Sequence, residues 1–194
     1  MWKKFNQLAH WWEKPVSDEM REFHQTIVIK DFEFDLMPAK RSDLEDIIAL
    51  EKAAYDGEAL WPMEAFAEEL RRTRDRLYVI VRQPETGSMV ALIGAAFRPG
   101  IHEVHITNIM VAPHWQSRGV GTFLVMYMMT IAQQINFHRI SLEVRVSNKR
   151  AQQLYARLGF QIIRRKVHYY GENGEDAFDM AQILGNQIDN ELLI

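Results

Sequence analysis

Apolar residues that switch repeatedly between a two-residue and a 3.6-residue period predict an α/β domain built on a central mixed sheet. Length and composition agree with that class. The chain has 194 residues, 47% of them hydrophobic and 25% charged, which suits one globular domain with a modest appendage. It has no cysteine, so the core is expected to stand without disulfides, as a chain of this length allows. The same absence excludes thiolate metal sites and a cysteine nucleophile, and it fits a reducing, cytoplasmic location.

The first 30 residues stand apart. Trp2, Phe5, Ala9 and Trp12 recur at roughly helical spacing, Pro15 breaks the pattern, and Ser17-Asp18-Glu19 has the composition of a second helix start. We expect an N-terminal helical extension over 1–30, a main domain over 31–185 and a tail over 186–194. The aromatics of the extension suit docking on the chain's own domain or on a second copy in a homodimer. They also suit a lipid interface or another partner.

From residue 32 the alternation begins. Phe32-Glu33-Phe34-Asp35-Leu36 alternates as a half-buried strand, and Ser42-Asp43 opens an amphipathic helix reaching Leu50. A second helix is expected from Pro62 to Arg74. Leu77–Val81 and Met89–Ala95, joined through Pro84-Glu85-Thr86-Gly87, read as a hairpin. Val104–Val111 is a further strand, 119–135 a long apolar helix, Arg139–Val146 a strand, and Asn148–Leu158 a helix closed by Gly159. A last hairpin over 160–184 turns at Gly171-Glu172-Asn173-Gly174.

The net charge of −3 argues against direct nucleic-acid binding, because phosphate affinity comes from many Lys and Arg contacts. Asn6, Gln7, His10 and Glu13 interrupt the start where a secretory signal needs an apolar core, and no run is long enough to be a transmembrane segment. The seven histidines are scattered. His102 and His105, three apart on a strand-like segment, point to opposite faces, so no metal site is expected.

Between the strand ending at Val111 and the long helix lies Gln116-Ser117-Arg118-Gly119-Val120-Gly121-Thr122. Glycines at such a junction let amide N–H groups converge on an anion, and the helix N-terminus adds partial positive charge, so the loop suits a pyrophosphate. It is no Walker loop, since no Gly-Lys-Ser/Thr follows, and its single Gly-x-Gly does not match the longer dinucleotide fingerprint. With Leu158-Gly159-Phe160 farther on, Gln116-x-x-Gly119-x-Gly121 resembles the acetyl-CoA signature of the GNAT acetyltransferases over about residues 33–184. Leu142-Glu143-Val144-Arg145-Val146-Ser147-Asn148, Ala151, Leu154-Tyr155, Tyr169-Tyr170 and Gly174-Glu175-Asp176-Ala177 resemble the protein N-terminal acetyltransferases in particular, nearest the ribosomal-protein-alanine (RimI-like) group. Leu60-Trp61 with Phe66 resembles that group's acceptor-side segment, with the order of Pro and Trp reversed.

The resemblance implies a GNAT fold with a mostly antiparallel sheet, and acetyl-CoA as cosubstrate without a metal. It implies direct acetyl transfer, in a ternary complex, to the free α-amino group of a protein or peptide N-terminus, with the alanine of a ribosomal protein as one candidate. Glu143 is the implied general base and Tyr155 the general acid. The backbone of Ile109, Met110 and Val111 would hold the pantetheine arm and polarise the acetyl carbonyl. Gln116, Ser117, Arg118, Gly119, Val120, Gly121 and Thr122 would cradle the pyrophosphate, and Asn148 would lie against the cofactor. Trp61, Tyr169 and Tyr170 fall on the acceptor side.

The residue types suit these tasks. An α-amino group, with a reference pKa of about 7.7–8.0, needs far less help from a carboxylate than a lysine near 10.4. A phenol near 10 keeps its proton at neutral pH and is available to a departing sulfur. From spacing alone, plainer roles stay open: a solvated strand glutamate for Glu143, a core aromatic for Tyr155 and an N-cap for Asn148. Two other functions stay open as well. One is acetyl transfer to a small amine or an internal lysine, and the other is a non-catalytic CoA-binding module acting through its aromatic N-terminus.

Overall fold

The computed structural model describes residues 15–55, 57, 60–171 and 173–185. Their strands are β1 (Gln25–Ile29), β2 (Phe32–Pro38), β3 (Arg76–Arg82), β4 (Met89–Arg98), β5 (Glu103–Val111), β6 (Arg139–Arg145), β7 (Gln161–Tyr170) and β8 (Glu175–Ile183). The helices are α1 (Leu44–Ala54), α2 (Met63–Arg71), α3 (Val120–Gln134) and α4 (Lys149–Arg157). One sheet runs β1-β2-β3-β4-β5-β6-β8-β7. Every neighbouring pair is antiparallel except β5 and β6, which are parallel and joined by α3. The predicted α/β class and mixed, mostly antiparallel sheet are the observed ones.

Part of the expected extension is not helical. Ser17-Asp18-Glu19 lies in turns, and Gln25–Ile29 pairs with Phe32–Leu36 as the edge of the sheet. The reason is local: Thr26, Ile27, Val28 and Ile29 are all β-branched and favour a pleated strand. The aromatic pattern at Trp2, Phe5, Ala9 and Trp12, and the 186–194 tail, lie outside the described residues.

The sheet separates two apolar clusters. Leu77, Val79, Ile93, Val104 and Ile106 face α3 with Leu124, Val125 and Met128. Tyr78, Ile80, Leu92 and Met110 face α1 and α2 with Ile47, Leu50 and Phe66. A β-bulge explains how β5 serves both clusters. Gly94 pairs with Asn108 while Ala95 pairs with Ile106, so Thr107 is an extra residue. One added residue reverses the alternation. Val104 and Ile106 face the α3 side before the bulge, and Ile109 and Val111 face it afterwards.

Gly94 makes the bulge possible. A Cβ there would lie 2.2 Å from the Tyr78 ring, and that ring is held by its hydroxyl, 2.9 Å from Asn108 Oδ1 and 3.1 Å from Thr107 Oγ1. Gly94→Ala is therefore expected to destabilise the fold by about 1–3 kcal/mol, the usual cost of overpacking. Urea unfolding, read as a lower midpoint at constant slope, checks it.

Candidate active site

The cleft is where β5 and β6 part. Their pairing ends at Ile106 and Leu142, so among the described residues no strand pairs with 107–111 of β5 on that side. A cleft of about 970 Å³ fills the gap. Its walls include 106–111, the 116–122 loop, 142–145 and the α4 residues Asn148, Ala151, Leu154 and Tyr155. An unpaired strand edge can accept an amide-bearing ligand as if it were another strand. Ile109, Met110 and Val111 offer backbone here, while the Met110 side chain is buried on the opposite face.

The loop at the head of α3 is shaped by backbone conformation. Ser117 and Gly119 both have positive φ, 62° and 95°, and Gly119 caps the helix without any side-chain bond to its first amides. The uncapped N–H groups of α3 are the kind that bind anions. Gln116 pins the loop by donating to the Val111 carbonyl at 3.1 Å. Arg150 reaches across from α4 to Gln116 Oε1 at 2.7 Å and Ser117 Oγ at 2.8 Å. With Lys30 at the rim, these cations and open amides fit a pyrophosphate. Gly119→Ala would force a side chain into the left-handed region, at roughly 1–2 kcal/mol. We expect the KM for acetyl-CoA to rise about tenfold with a smaller change in kcat, in initial-rate assays.

Glu143 sits on the β6 wall with its side chain 11% exposed. One carboxylate oxygen accepts from His105 Nε2 at 3.0 Å, and the other is held by Lys166 Nζ. Behind His105, Nδ1 contacts Ser141 Oγ at 2.8 Å. Burial would raise the Glu143 pKa, but the hydrogen bonds and charges of His105 and Lys166 outweigh it and bring the carboxyl down to about 2. Tyr169, from β7, also bonds to this carboxylate. Burial and that partner's charge push its hydroxyl up to about 12.

Tyr155 lines the same cleft, is 5% exposed and packs on Phe160. Burial raises its pKa, and the nearby Tyr55 and Tyr170 add to the effect, so the phenol stays protonated. Tyr170 stacks beneath Arg145, whose guanidinium carbon is 3.8 Å from the ring centroid. On the α1 side the buried Glu51 carboxylate accepts the Trp61 amide at 3.2 Å. That contact ties the 60–61 segment to the cleft, where Trp61 packs on Phe66.

Most of the sequence-predicted residues thus converge: Trp61, 109–111, Gln116, Ser117, Gly119, Gly121, Thr122, Glu143, Asn148, Tyr155 and Tyr170 all line one cleft. Three do not. Val120 is buried in the core. Arg118 lies over Phe32 and Trp115, donating to the His114 carbonyl. Tyr169 packs edge-on against Tyr170 and bonds to Glu143. Asn148 caps α4 by accepting from the Ala151 amide at 3.0 Å, so the plainer role is real. Sequence reasoning missed Glu51, Tyr55, His105, Arg150 and Lys166. Only β5–β6 register brings His105 opposite Ser141, two residues from Glu143, and such register is not written in local spacing.

Comparison with known proteins agrees with this geometry. A sequence model of the acetyltransferase (GNAT) family matches residues 43–160. The N-alpha-acetyltransferase RimI of Mycobacterium tuberculosis is 32% identical over 149 residues, covering 75% of this chain and 90% of that protein. An N-alpha-acetyltransferase of Sulfurisphaera tokodaii is 29% identical over 163 residues, covering 78% and 94%. The crystal structure of the ribosomal-protein-alanine N-acetyltransferase from Escherichia coli superimposes with a TM-score of 0.68 at 26% identity, over 78% of this chain and 94% of that one.

Proposed function

This chain belongs to the acetyltransferase (GNAT) family and is an acetyl-CoA-dependent N-acetyltransferase, and we propose that its acceptor is the free α-amino group of a protein N-terminus. The observation that carries the proposal is that Glu143 of β6 and Tyr155 of α4 line one cleft beside the unpaired edge of β5. The N-alpha activity named for the relatives supports the same acceptor, and the E. coli protein's name makes an N-terminal alanine of a ribosomal protein the first acceptor to try.

The cofactor supplies an activated acetyl thioester. The open amides at the head of α3, with Arg150 and Lys30, hold its phosphates. The β5 edge aligns the pantetheine arm and directs N–H groups at the acetyl oxygen, where negative charge develops as the C–N bond forms. The acceptor amine lies by Trp61 and Tyr170. Glu143 accepts the proton that the nitrogen loses on forming that bond, directly or through water, and passes it to solvent. As the C–S bond breaks, Tyr155 gives its hydroxyl proton to the sulfur and regains one from water. Both reactants are held at once, so no acyl-enzyme is needed.

Mass spectrometry of a peptide with a free N-terminal alanine and an internal lysine, after incubation with enzyme and acetyl-CoA, tests the proposal. Acetyl on the α-nitrogen is expected. Acetyl on the lysine alone would move the acceptor class to side chains.

A further inference from the structure

The cluster around Glu143 does more than hold a base in place. A carboxylate waiting for a cationic amine would be expected to stand free, yet here an internal ammonium is already on it. Lys166 reaches Glu143 from β7. Its backbone stands at a break in register, since the pairing with β8 jumps from Lys166 opposite Ala177 to Tyr170 opposite Glu175. His168 inside that break has φ 52°. It is pinned by Asp176 Oδ1 at 2.8 Å on its amide and by the Gly174 carbonyl at 3.0 Å from its ring. Lys166 Nζ also lies 4.9 Å from the centroid of the Tyr169 ring, a cation–π contact that helps hold the chain in place. The lysine is delivered to Glu143 by a built feature of the hairpin.

We propose that Lys166 is a specificity-determining residue: by neutralising Glu143 internally, it makes the site take its acceptor as the uncharged amine, which selects N-termini over lysine side chains. The inference rests on the proposed N-terminal activity. A second cation entering a site that already holds one is repelled, and a like charge nearby favours the neutral form of an amine. Other charged groups lie around the pair, and every variant compared below keeps them: Arg145 on β6 is matched by Glu175 at 3.2 Å, and Glu51 in α1 accepts the Trp61 amide. Asp179 on β8, opposite Glu143, is matched by Arg164 at 2.8 Å. Arg98 on β4 is matched by Glu103 at 2.8 Å. His105 and Tyr169 stay on the carboxylate when Lys166 is replaced, so the comparison of variants holds their contribution constant. At neutral pH the neutral fraction of an α-amine exceeds that of a lysine by about 10²-fold, from their reference pKa values. A site that takes only neutral amine inherits that ratio.

The experiment is the pH dependence of kcat/KM for a short peptide with a free N-terminal alanine, beside an N-blocked peptide with one lysine. The wild type, Lys166→Met and Lys166→Arg are compared. In the wild type, log kcat/KM for the free-amine peptide should climb with a slope of about one up to the amine's own pKa near 8, because the proton is lost to solvent before the transition state. In Lys166→Met the Glu143 carboxylate has lost its internal ammonium and takes the ammonium form of the acceptor, so the slope should fall towards zero. The preference for the α-amine should drop about tenfold or more, and Lys166→Arg should retain both wild-type features. Calorimetry of peptide binding to the CoA-loaded enzyme, in buffers of different ionisation enthalpy, should show proton release for the wild type and none for Lys166→Met. An unchanged slope, selectivity and proton release in Lys166→Met would overturn the proposal and leave Lys166 a brace between β7 and β6. A wild type that ignores the free-amine peptide would instead overturn the N-terminal reading itself, and this inference with it.

Discussion

Tyr155→Phe is expected to lower kcat by about 10²–10⁴-fold, the usual contribution of a positioned acid, while the KM for acetyl-CoA and the unfolding midpoint stay close to wild type. The ring packs against Phe160 with centroids 5.8 Å apart, and phenylalanine keeps that contact, so the core loses only one oxygen. What disappears is the proposed proton donor to the departing sulfur. Burial holds the Tyr155 proton firmly, and the loss should therefore be the same at pH 7 and pH 9. Steady-state rates at saturating acetyl-CoA check it. Full activity in this variant would remove Tyr155 from the chemistry.

Glu143→Gln is expected to lower kcat/KM by about 10²-fold or more, and it carries a second signature that reports on the ion pair. The carboxyl is depressed from its ordinary 4.5 to about 2. A depressed carboxylate contributes stability that is fully present above its unfolded value and is lost as pH falls through its folded value. Wild-type stability should decline between about pH 4.5 and about pH 2 partly through this group, and Glu143→Gln should lack that part of the decline. Urea midpoints at pH 7, 4 and 3 measure both slopes. The glutamine cannot pair with the Lys166 ammonium, so the variant should start from a lower midpoint at pH 7. A wild-type curve that is no steeper than the variant's would remove the ion pair from the account.

The sequence already disclosed the features that depend on short-range pattern. Alternation marked β2, apolar runs and turn residues marked the later strands, the 3.6-residue period marked the four helices, and the glycines at 119 and 121 marked the turn where a strand hands over to a helix. The segment 25–29 was obscured because Ser17, Asp18 and Glu19 look like a helix start, although the β-branched run over 26–29 favours the strand that pairs with β2. Long-range geometry was the other blind spot. The bulge at Thr107 reverses β5 without a local signal except Gly94, whose meaning depends on Tyr78 lying over it. Lys166 and His105 converge on Glu143 from strands that only the sheet order brings together. Glu51, in α1, reads as an ordinary helix glutamate until the Trp61 amide is seen on it.

The acceptor is the central claim, and release of CoA thiol measures it most directly. Acetyl-CoA is mixed with a short peptide bearing a free N-terminal alanine, and in parallel with the same peptide blocked at its α-amine. The account predicts thiol release with the free peptide and only background with the blocked one. Equal rates with both would contradict it, and would place the reaction on a side chain.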